Sequence, residues 1–125
     1  MGQKVCIDTD AAIELINGTA KAAGILNLIS EKEVFIATIT LFELLLRKTN
    51  LKAVENFASL VELLEFDDKA ARKASEITKE LGSKGIQVGF RDVFIAATAV
   101  VNGCELLTLN RKDFSRIKDL HLTGE

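Results

Sequence analysis

Residues 5–10 read VCIDTD, a short apolar run that stops at an acid. The apolar run predicts a buried strand over Val5–Ile7, and the apolar spacing that follows predicts a helix over residues 11–16. We expect Asp10 to cap that helix, because Asp side chains accept hydrogen bonds from the free N–H groups of a first turn. Asp8 then stands at the carboxyl end of a strand, the edge at which open parallel α/β sheets bind their ligands.

The rest of the chain alternates between helix-like and strand-like segments. Further strands are predicted over residues 33–38, 63–66 and 105–109, with a last edge strand over 120–123. Helices are predicted over 21–29, 40–48, 51–63, 68–81 and 92–101, with a turn or short helix over 110–116. In the helix from residue 68, the apolar stripe is expected to comprise Ala71, Ala74, Ile77 and Leu81. The helix from residue 92 is apolar nearly all round and should be buried.

This alternation predicts an α/β fold, a three-layer α/β/α sandwich with a central, mainly parallel sheet of four or five strands. A chain of 125 residues with 48% hydrophobic content fits a single domain over residues 1–125.

A net charge of -2 argues neither for nor against a nucleic-acid partner. No apolar stretch approaches the ~20 residues that span a bilayer, and no signal-peptide segment is evident, so we expect a cytoplasmic protein without a membrane partner. Cys6 and Cys104 have no metal-site spacing and are expected to be buried free thiols, and His121 lacks a ligand partner.

Four acidic residues recur where a strand-like run ends or a helix begins: Asp8, Glu43, Asp92 and Asp113. Each has a purely structural explanation in the turn or first turn of a helix. Glu43 in particular follows Thr40 by three residues, the spacing of a capping box, and Asp113 follows Asn110 in the same way.

Capping alone does not predict that all four acids share one edge of a sheet. Two carboxylates about 5 Å apart repel by roughly 3 kcal/mol at an effective dielectric of 20, and a divalent cation would offset that repulsion. Ligands that are all oxygens favour a hard ion, Mg²⁺ or Mn²⁺. Substrate contacts are expected from the neighbouring cations Arg91, Arg111 and Lys112, joined by Arg47 and Lys48.

Four segments together resemble the PIN domain nucleases, and most closely the small stand-alone toxins of VapC type. They are VCIDTD at 5–10, Glu43 in the helix after the second strand, DVFIAATA at 92–99 and LTLNRKDF at 107–114. By this resemblance Asp8, Glu43 and Asp92 are metal-binding catalytic acids, and Asp113 is the fourth. Asn110 stands where family members may carry another acid, and it would orient water or phosphate, with Asp10 and Thr108 as supporting groups.

The resemblance implies a Mg²⁺- or Mn²⁺-dependent ribonuclease that hydrolyses RNA with a metal-activated water. It also implies a small antitoxin partner whose carboxyl-terminal segment covers the site. A homodimer is expected because the helix over 93–101 and the run over 41–46 are strongly apolar. Which RNA is cut, and whether DNA is cut, stay open.

Two alternatives remain at this point. The first is a non-catalytic PIN-like binding module whose acids serve only as caps. The second is a haloacid-dehalogenase-type phosphatase with Asp8 as nucleophile, although residues 108–113 do not supply the downstream pattern that such an enzyme requires.

Overall fold

A computed structural model describes residues 3–124; the ends of the predicted domain, residues 1–2 and 125, lie outside it. The elements in chain order are β1 (Lys4–Ile7), α1 (Thr9–Asn17), α2 (Ala22–Ile29), β2 (Glu33–Ala37), α3 (Thr38–Leu45), α4 (Leu51–Leu60), β3 (Glu62–Leu64), α5 (Asp68–Ser83), α6 (Phe90–Val101), β4 (Glu105–Leu107) and α7 (Arg111–Phe114). The predicted order of strands and helices is therefore confirmed over most of the chain.

The strands form one sheet in the order β3-β2-β1-β4, and every pairing is parallel. Cys6 of β1 is in register with Phe35 of β2 and with Leu106 of β4. Because the strands are parallel and in register, β1, β2 and β4 all present their carboxyl ends at the same edge. The predicted fold class is confirmed, with four strands in the described part of the chain.

Side chains alternate between the two faces of this sheet, as the two-residue period of a strand requires. Cys6 packs into a core formed with α5 and α6, whereas Val5 and Ile7 pack into a second core formed with α1, α3 and α4. Both faces are thus covered by helices, which explains why the strand sequences are continuously apolar.

Both cysteines are free and buried, as expected. Burial raises the pKa of Cys6, and it raises the pKa of Cys104 to about 11. At neutral pH both side chains are therefore neutral thiols, which suits their positions in the core.

The start of α1 differs from the prediction. The helix begins at Thr9, and its cap is Asp8, whose Oδ1 accepts a hydrogen bond from the backbone N of Ala11 at 3.0 Å. Asp10 lies inside the first turn and is exposed. Extended backbone at Asp8, with ψ at 173°, lets its side chain fold back over the turn.

The predicted starts of the next site-bearing helices were also wrong. α3 begins at Thr38, two residues earlier than expected, so Thr40 is inside the helix and Glu43 does not belong to a capping box. α6 begins at Phe90 with Gly89 as its cap residue, and Asp92 sits in the first turn without capping it. Capping accordingly does not account for Glu43 or Asp92.

Two smaller differences and one agreement concern the other elements. The buried stripe of α5 contains Ala70 rather than Ala71, because Asp67 caps the helix and the inward positions follow at 70, 74, 77 and 81. Residues 120–123 form only an isolated bridge between Leu106 and Leu122 instead of a strand. α6 is buried as predicted, with most of its residues from Val93 to Ala99 in the core.

None of the helices found between residues 3 and 124 combines the length and the apolar character that crossing a bilayer would demand.

Candidate active site

Asp8 is fixed at the carboxyl edge of the sheet by three hydrogen bonds. Its backbone N donates to the Leu107 carbonyl at 3.1 Å, its Oδ1 caps α1, and its Oδ2 accepts from the hydroxyl of Thr108. Only 4% of the residue is exposed. Burial raises the pKa of Asp8 to about 6, and the charges of Asp10 and Asp92 act in the same direction.

Glu43 reaches the same edge from α3. Its Oε1 accepts a hydrogen bond from the Thr9 hydroxyl at 2.7 Å, and its Oε2 lies 3.4 Å from Nη1 of Arg91. The Thr9 hydroxyl also lies 3.3 Å from that of Thr40, which is fully buried. The Glu43 carboxylate is therefore held between α1 and α6.

Asp92 is half-buried in the first turn of α6. Burial raises its pKa, and the negative charges of Glu43, Asp113 and Asp10 raise it further. Four acids thus lie within electrostatic reach of one another, together with Asp8 at the end of β1. They are Asp10 of α1, Glu43 of α3, Asp92 of α6 and Asp113 of α7.

Asp113 and Asn110 form a small unit after β4. The Nδ2 of Asn110 donates to Oδ2 of Asp113 at 3.2 Å, and the Asn110 backbone N donates to the Thr108 hydroxyl oxygen at 2.9 Å. Because Thr108 donates in turn to Asp8, a chain of hydrogen bonds joins the first and the last of the predicted acids.

Positive charge compensates these acids only in part. The only salt bridge to them among residues 3–124 is that between Arg91 and Glu43, and none involves Asp8, Asp92 or Asp113. In the same part of the chain, no three His, Cys, Asp or Glu side chains are gathered closely enough to hold a metal ion as they stand. The donor set consists of oxygens with uncompensated charge, which suits a hard divalent cation, but ion binding would require some of the side chains to rotate.

The predicted cations lie in different surroundings. Arg91 flanks the acids, and its guanidinium lies 5.7 Å from the ring centroid of Phe42. Nη1 of Arg111 donates to the carbonyl of Thr123 at 3.0 Å, and Lys112 is exposed.

Arg47 is directed toward the opposite end of α1. Its Nη2 donates to Oδ1 of Asn17 at 3.3 Å. Asn17 is about 12 Å along the helix axis from Thr9, at 1.5 Å per residue, and Arg47 is therefore remote from the acids. Lys48 is exposed just beyond α3.

Sequence reasoning missed Thr9 and Thr40 as the groups that orient Glu43, and it missed the aromatic side chains beside the acids. Thr9 follows Asp8 in the motif VCIDTD, so the motif itself contained that signal. An open depression in front of α6 is lined by Glu43, Gly89, Phe90, Arg91 and Asp92. No local pattern indicated that Phe90 would be exposed there.

Comparisons with known proteins agree with this architecture. The tRNA(fMet)-specific endonuclease VapC of Salmonella typhimurium is 32% identical over 95% of this chain and 96% of its own. The crystal structure of DNA-bound VapBC from Salmonella typhimurium is similar with a TM-score of 0.85 and 34% identity, covering 96% of both chains. A member of the VapBC family of toxin-antitoxin systems, VapBC-5 from Mycobacterium tuberculosis, is similar with a TM-score of 0.74 and 25% identity, covering 96% of this chain and 97% of that one. Since the PIN domain model matches residues 5–120 as well, the chain belongs to the PIN domain family.

Proposed function

We propose that this chain is a divalent-metal-dependent endoribonuclease and the toxin of a toxin-antitoxin pair. The relatives named as VapC endonucleases and VapBC toxin-antitoxin systems support this function. The observation that carries it in this chain is the position of Asp8, Glu43 and Asp92 at one edge of the sheet, where the single ion pair to them among residues 3–124 is that of Glu43 with Arg91. The negative charge of such a site attracts a divalent cation, and the bound cation in turn attracts the negatively charged phosphodiester.

Asp8, Glu43, Asp92 and Asp113 would hold the ion, which we propose to be Mg²⁺ or Mn²⁺ because every ligand is a carboxylate oxygen. When bound, such an ion polarises a phosphodiester and lowers the pKa of a water molecule, which supplies the nucleophile. The surrounding residues position the ligands. Thr108 and the α1 backbone fix Asp8, while Thr9 and Arg91 hold the two oxygens of Glu43.

Substrate positioning falls to Arg91, Asp10, Asn110 and the cations of α7. Arg91 is well placed to meet a phosphate, because its side chain is largely exposed at the mouth of the depression. Arg111 and Lys112 follow the strand that leads to Thr108, and they would contact the RNA backbone further along.

Two protein partners complete the proposal. A small antitoxin would cover the acids, as the VapBC neighbours suggest. A second copy of this chain would cover the exposed apolar face of α3, where Phe42, Leu45 and Leu46 are all exposed.

The phosphatase alternative finds little support in this site. The chain belongs to the PIN domain family, and residues 108–113 lack the downstream pattern that such a phosphatase requires. The non-catalytic alternative also loses its main argument, because capping does not explain Glu43 or Asp92.

Cleavage of RNA by the purified protein tests the proposal. Structured and unstructured RNAs, with single-stranded DNA in parallel, are incubated with Mg²⁺ or Mn²⁺ and either the natural protein or Asp92→Asn. We expect the variant to lose at least ~100-fold in activity, since even the outer partners of metal ligands are typically worth about 10–100-fold. Asp68→Asn is the matched control, because it makes the same change at an exposed acid in the first turn of α5.

A second measurement separates metal binding from catalysis. Mn²⁺ or Mg²⁺ should raise the melting temperature of the natural protein and of Asp68→Asn, and raise that of Asp92→Asn much less, since an ion that binds only the folded state stabilises it. Equal cleavage by all three proteins would refute the assignment of Asp92. Absence of cleavage with every RNA and metal would leave the binding-module alternative.

A further inference from the structure

Phe90 occupies an unusual position for a phenylalanine. It is the first residue of α6, two positions before Asp92, and 75% of it is exposed. Burying an aromatic side chain stabilises a folded protein, so this exposure forgoes a stabilisation that the core would provide. An exposed ring at the edge of a catalytic depression indicates a surface that something else covers.

The ring of Phe90 is supported from within the protein. It stacks on Phe94 with centroids 6.4 Å apart and an interplanar angle of 20°, and Phe94 packs on Phe66 with centroids 4.5 Å apart. Phe94 and Phe66 are partly buried against the core of the α5 and α6 layer. The exposed ring is therefore backed by a packed aromatic column, which favours one orientation of its plane.

An open and mostly apolar groove runs beside this ring. Its lining comes from the end of α5 (residues 78, 81 and 82), the connecting loop (86–89) and the start of α6 (90 and 93), and we call it the Phe90 groove. Gly89 and Phe90 also line the depression that contains Glu43, Arg91 and Asp92. The Phe90 groove and the depression therefore adjoin one another at Gly89 and Phe90.

The two adjoining surfaces match the two chemically different parts of a nucleotide, its phosphate and its base. One offers acids for a cation and the guanidinium of Arg91 for a phosphate, and the other offers an aromatic face with apolar walls. Aromatic side chains bind unstacked bases of single-stranded RNA through their π faces, with little dependence on base identity. The amide of Gln87, which also lines the Phe90 groove, can donate to or accept from a base edge.

Resting on the proposed function, we infer that Phe90 is a substrate-binding residue on which an unpaired RNA base next to the scissile phosphate stacks. The Phe90 groove receives that base while the acids receive the phosphate. The subsite therefore requires a substrate whose base is unpaired at the cleavage point, in a loop or a single strand.

Variants of Phe90 test this inference through RNA binding and cleavage. Phe90→Ala should lower kcat/KM by about 5- to 150-fold, the fold-change that corresponds to about 1–3 kcal/mol of stacking per base. Phe90→Trp should retain the activity, because it keeps an aromatic face, whereas Phe90→Leu should not, although it is apolar. Leu60→Ala is the control at another strongly exposed apolar residue, 82% exposed on α4, and should leave cleavage unchanged.

An abasic RNA identifies the contact. Removing the base beside the cleaved bond should weaken binding to Asp92→Asn, which does not cleave, by about the factor that Phe90→Ala costs. In the double variant Phe90→Ala/Asp92→Asn, the same abasic site should cost nothing further. Binding is measured by fluorescence anisotropy with and without EDTA, so the result does not depend on activity.

The outcomes separate this inference from the proposed function. If the natural protein cleaves RNA and Asp92→Asn does not, but Phe90→Ala cleaves and binds normally, the stacking role is wrong and the nuclease function stands. If Phe90→Ala changes only the sedimentation of the protein or its affinity for a protein partner, the exposed ring is a protein interface and the inference is overturned. If no RNA is bound or cleaved by the natural protein, both proposals fail.

Discussion

Asp8 combines two roles that conflict in their demand on its charge. As the cap of α1 it accepts a hydrogen bond from Ala11, and a carboxylate near a helix N-terminus is favoured by the helix dipole. Its burial opposes ionisation more strongly, and the pKa rises to about 6. A cap alone does not require burial, so the conflict indicates that the buried negative charge serves the site.

Asp8→Asn should therefore stabilise the protein at neutral pH when no divalent ion is present. An unfolded Asp8 loses its proton near its ordinary pKa of 3.8, but the folded protein keeps that proton to about pH 6. This contribution to stability is complete below about pH 3.8 and is lost as the pH rises through 6. The asparagine variant has no such loss and should gain up to about 3 kcal/mol at pH 7.5, at 1.36 kcal/mol per pKa unit.

Urea unfolding at pH 4 and pH 7.5 in EDTA measures this difference. Asp68→Asn, which changes an exposed acid, should follow the natural protein at both pH values. Adding Mn²⁺ at pH 7.5 should stabilise the natural protein and reduce the advantage of Asp8→Asn, because the ion offsets the buried charge. A variant that matched the natural protein at pH 7.5 in EDTA would show that the Asp8 charge is not destabilising.

The helices and strands show which parts of this fold follow from local sequence. Apolar runs bounded by acids and glycines predicted the strands, and α/β alternation predicted the parallel sheet, because both depend on patterns within a few residues. The start of α1 could not be settled locally, since Asp8 and Asp10 are both good caps. The bond from the Asp8 backbone to Leu107 fixes the end of β1, and this contact spans 99 residues of sequence.

The candidate site shows the same division. Its acids were visible as residues at predicted element ends, but their partners were not. The hydrogen bond from Thr9 to Glu43 joins residues 34 apart, and local rules instead assigned Glu43 to a capping box with Thr40. Exposed Phe90 escaped prediction because it precedes the helix predicted over 92–101, and no local pattern there indicates whether an apolar side chain is exposed.

Which face of α5 is inward can be tested directly. Ala70 is fully buried and Ala71 is exposed, although the apolar pattern favoured Ala71. Ala70→Leu should destabilise the protein by about 1–3 kcal/mol, the usual cost of adding atoms to a packed core. Ala71→Leu makes the same change on the outer face and should shift stability by no more than about 0.5 kcal/mol. Chemical denaturation of both variants measures the two changes in stability. A larger loss of stability from Ala71→Leu than from Ala70→Leu would show that the other face of α5 is buried.

The domain gathers its acids because β1, β2 and β4 are parallel and the chain returns between them through helices. Successive crossings from strand to helix therefore bring Asp8, Glu43 and Asp113 to one edge, and α6, which packs on one face of the sheet, adds Asp92. The same arrangement leaves α3 with one face on the core, at Thr40 and Leu44, and another face outward.

The expected homodimer rests on a narrower surface than the sequence indicated. Most of α6 is buried inside the protein, so it cannot supply the apolar contact, and the candidate surface is the outer face of α3. Phe42 is 50% exposed there, Leu45 43% and Leu46 56%. Leu45 and Leu46 follow Phe42 by three and four residues, so each lies beside Phe42 at the end of α3. In a two-fold dimer each of these side chains would meet the same patch on the partner.

Sedimentation at tens of micromolar should give a mass about twice the 13.6 kDa of the chain. Leu46→Glu should shift the protein to monomer, because it removes an apolar contact and would bury two like charges near the symmetry axis. Asn56→Glu adds the same charge at an exposed position of α4 and should leave the dimer intact. A natural protein that sediments as a monomer at this concentration would contradict the proposed homodimer, because its α3 face would then not bind a second copy.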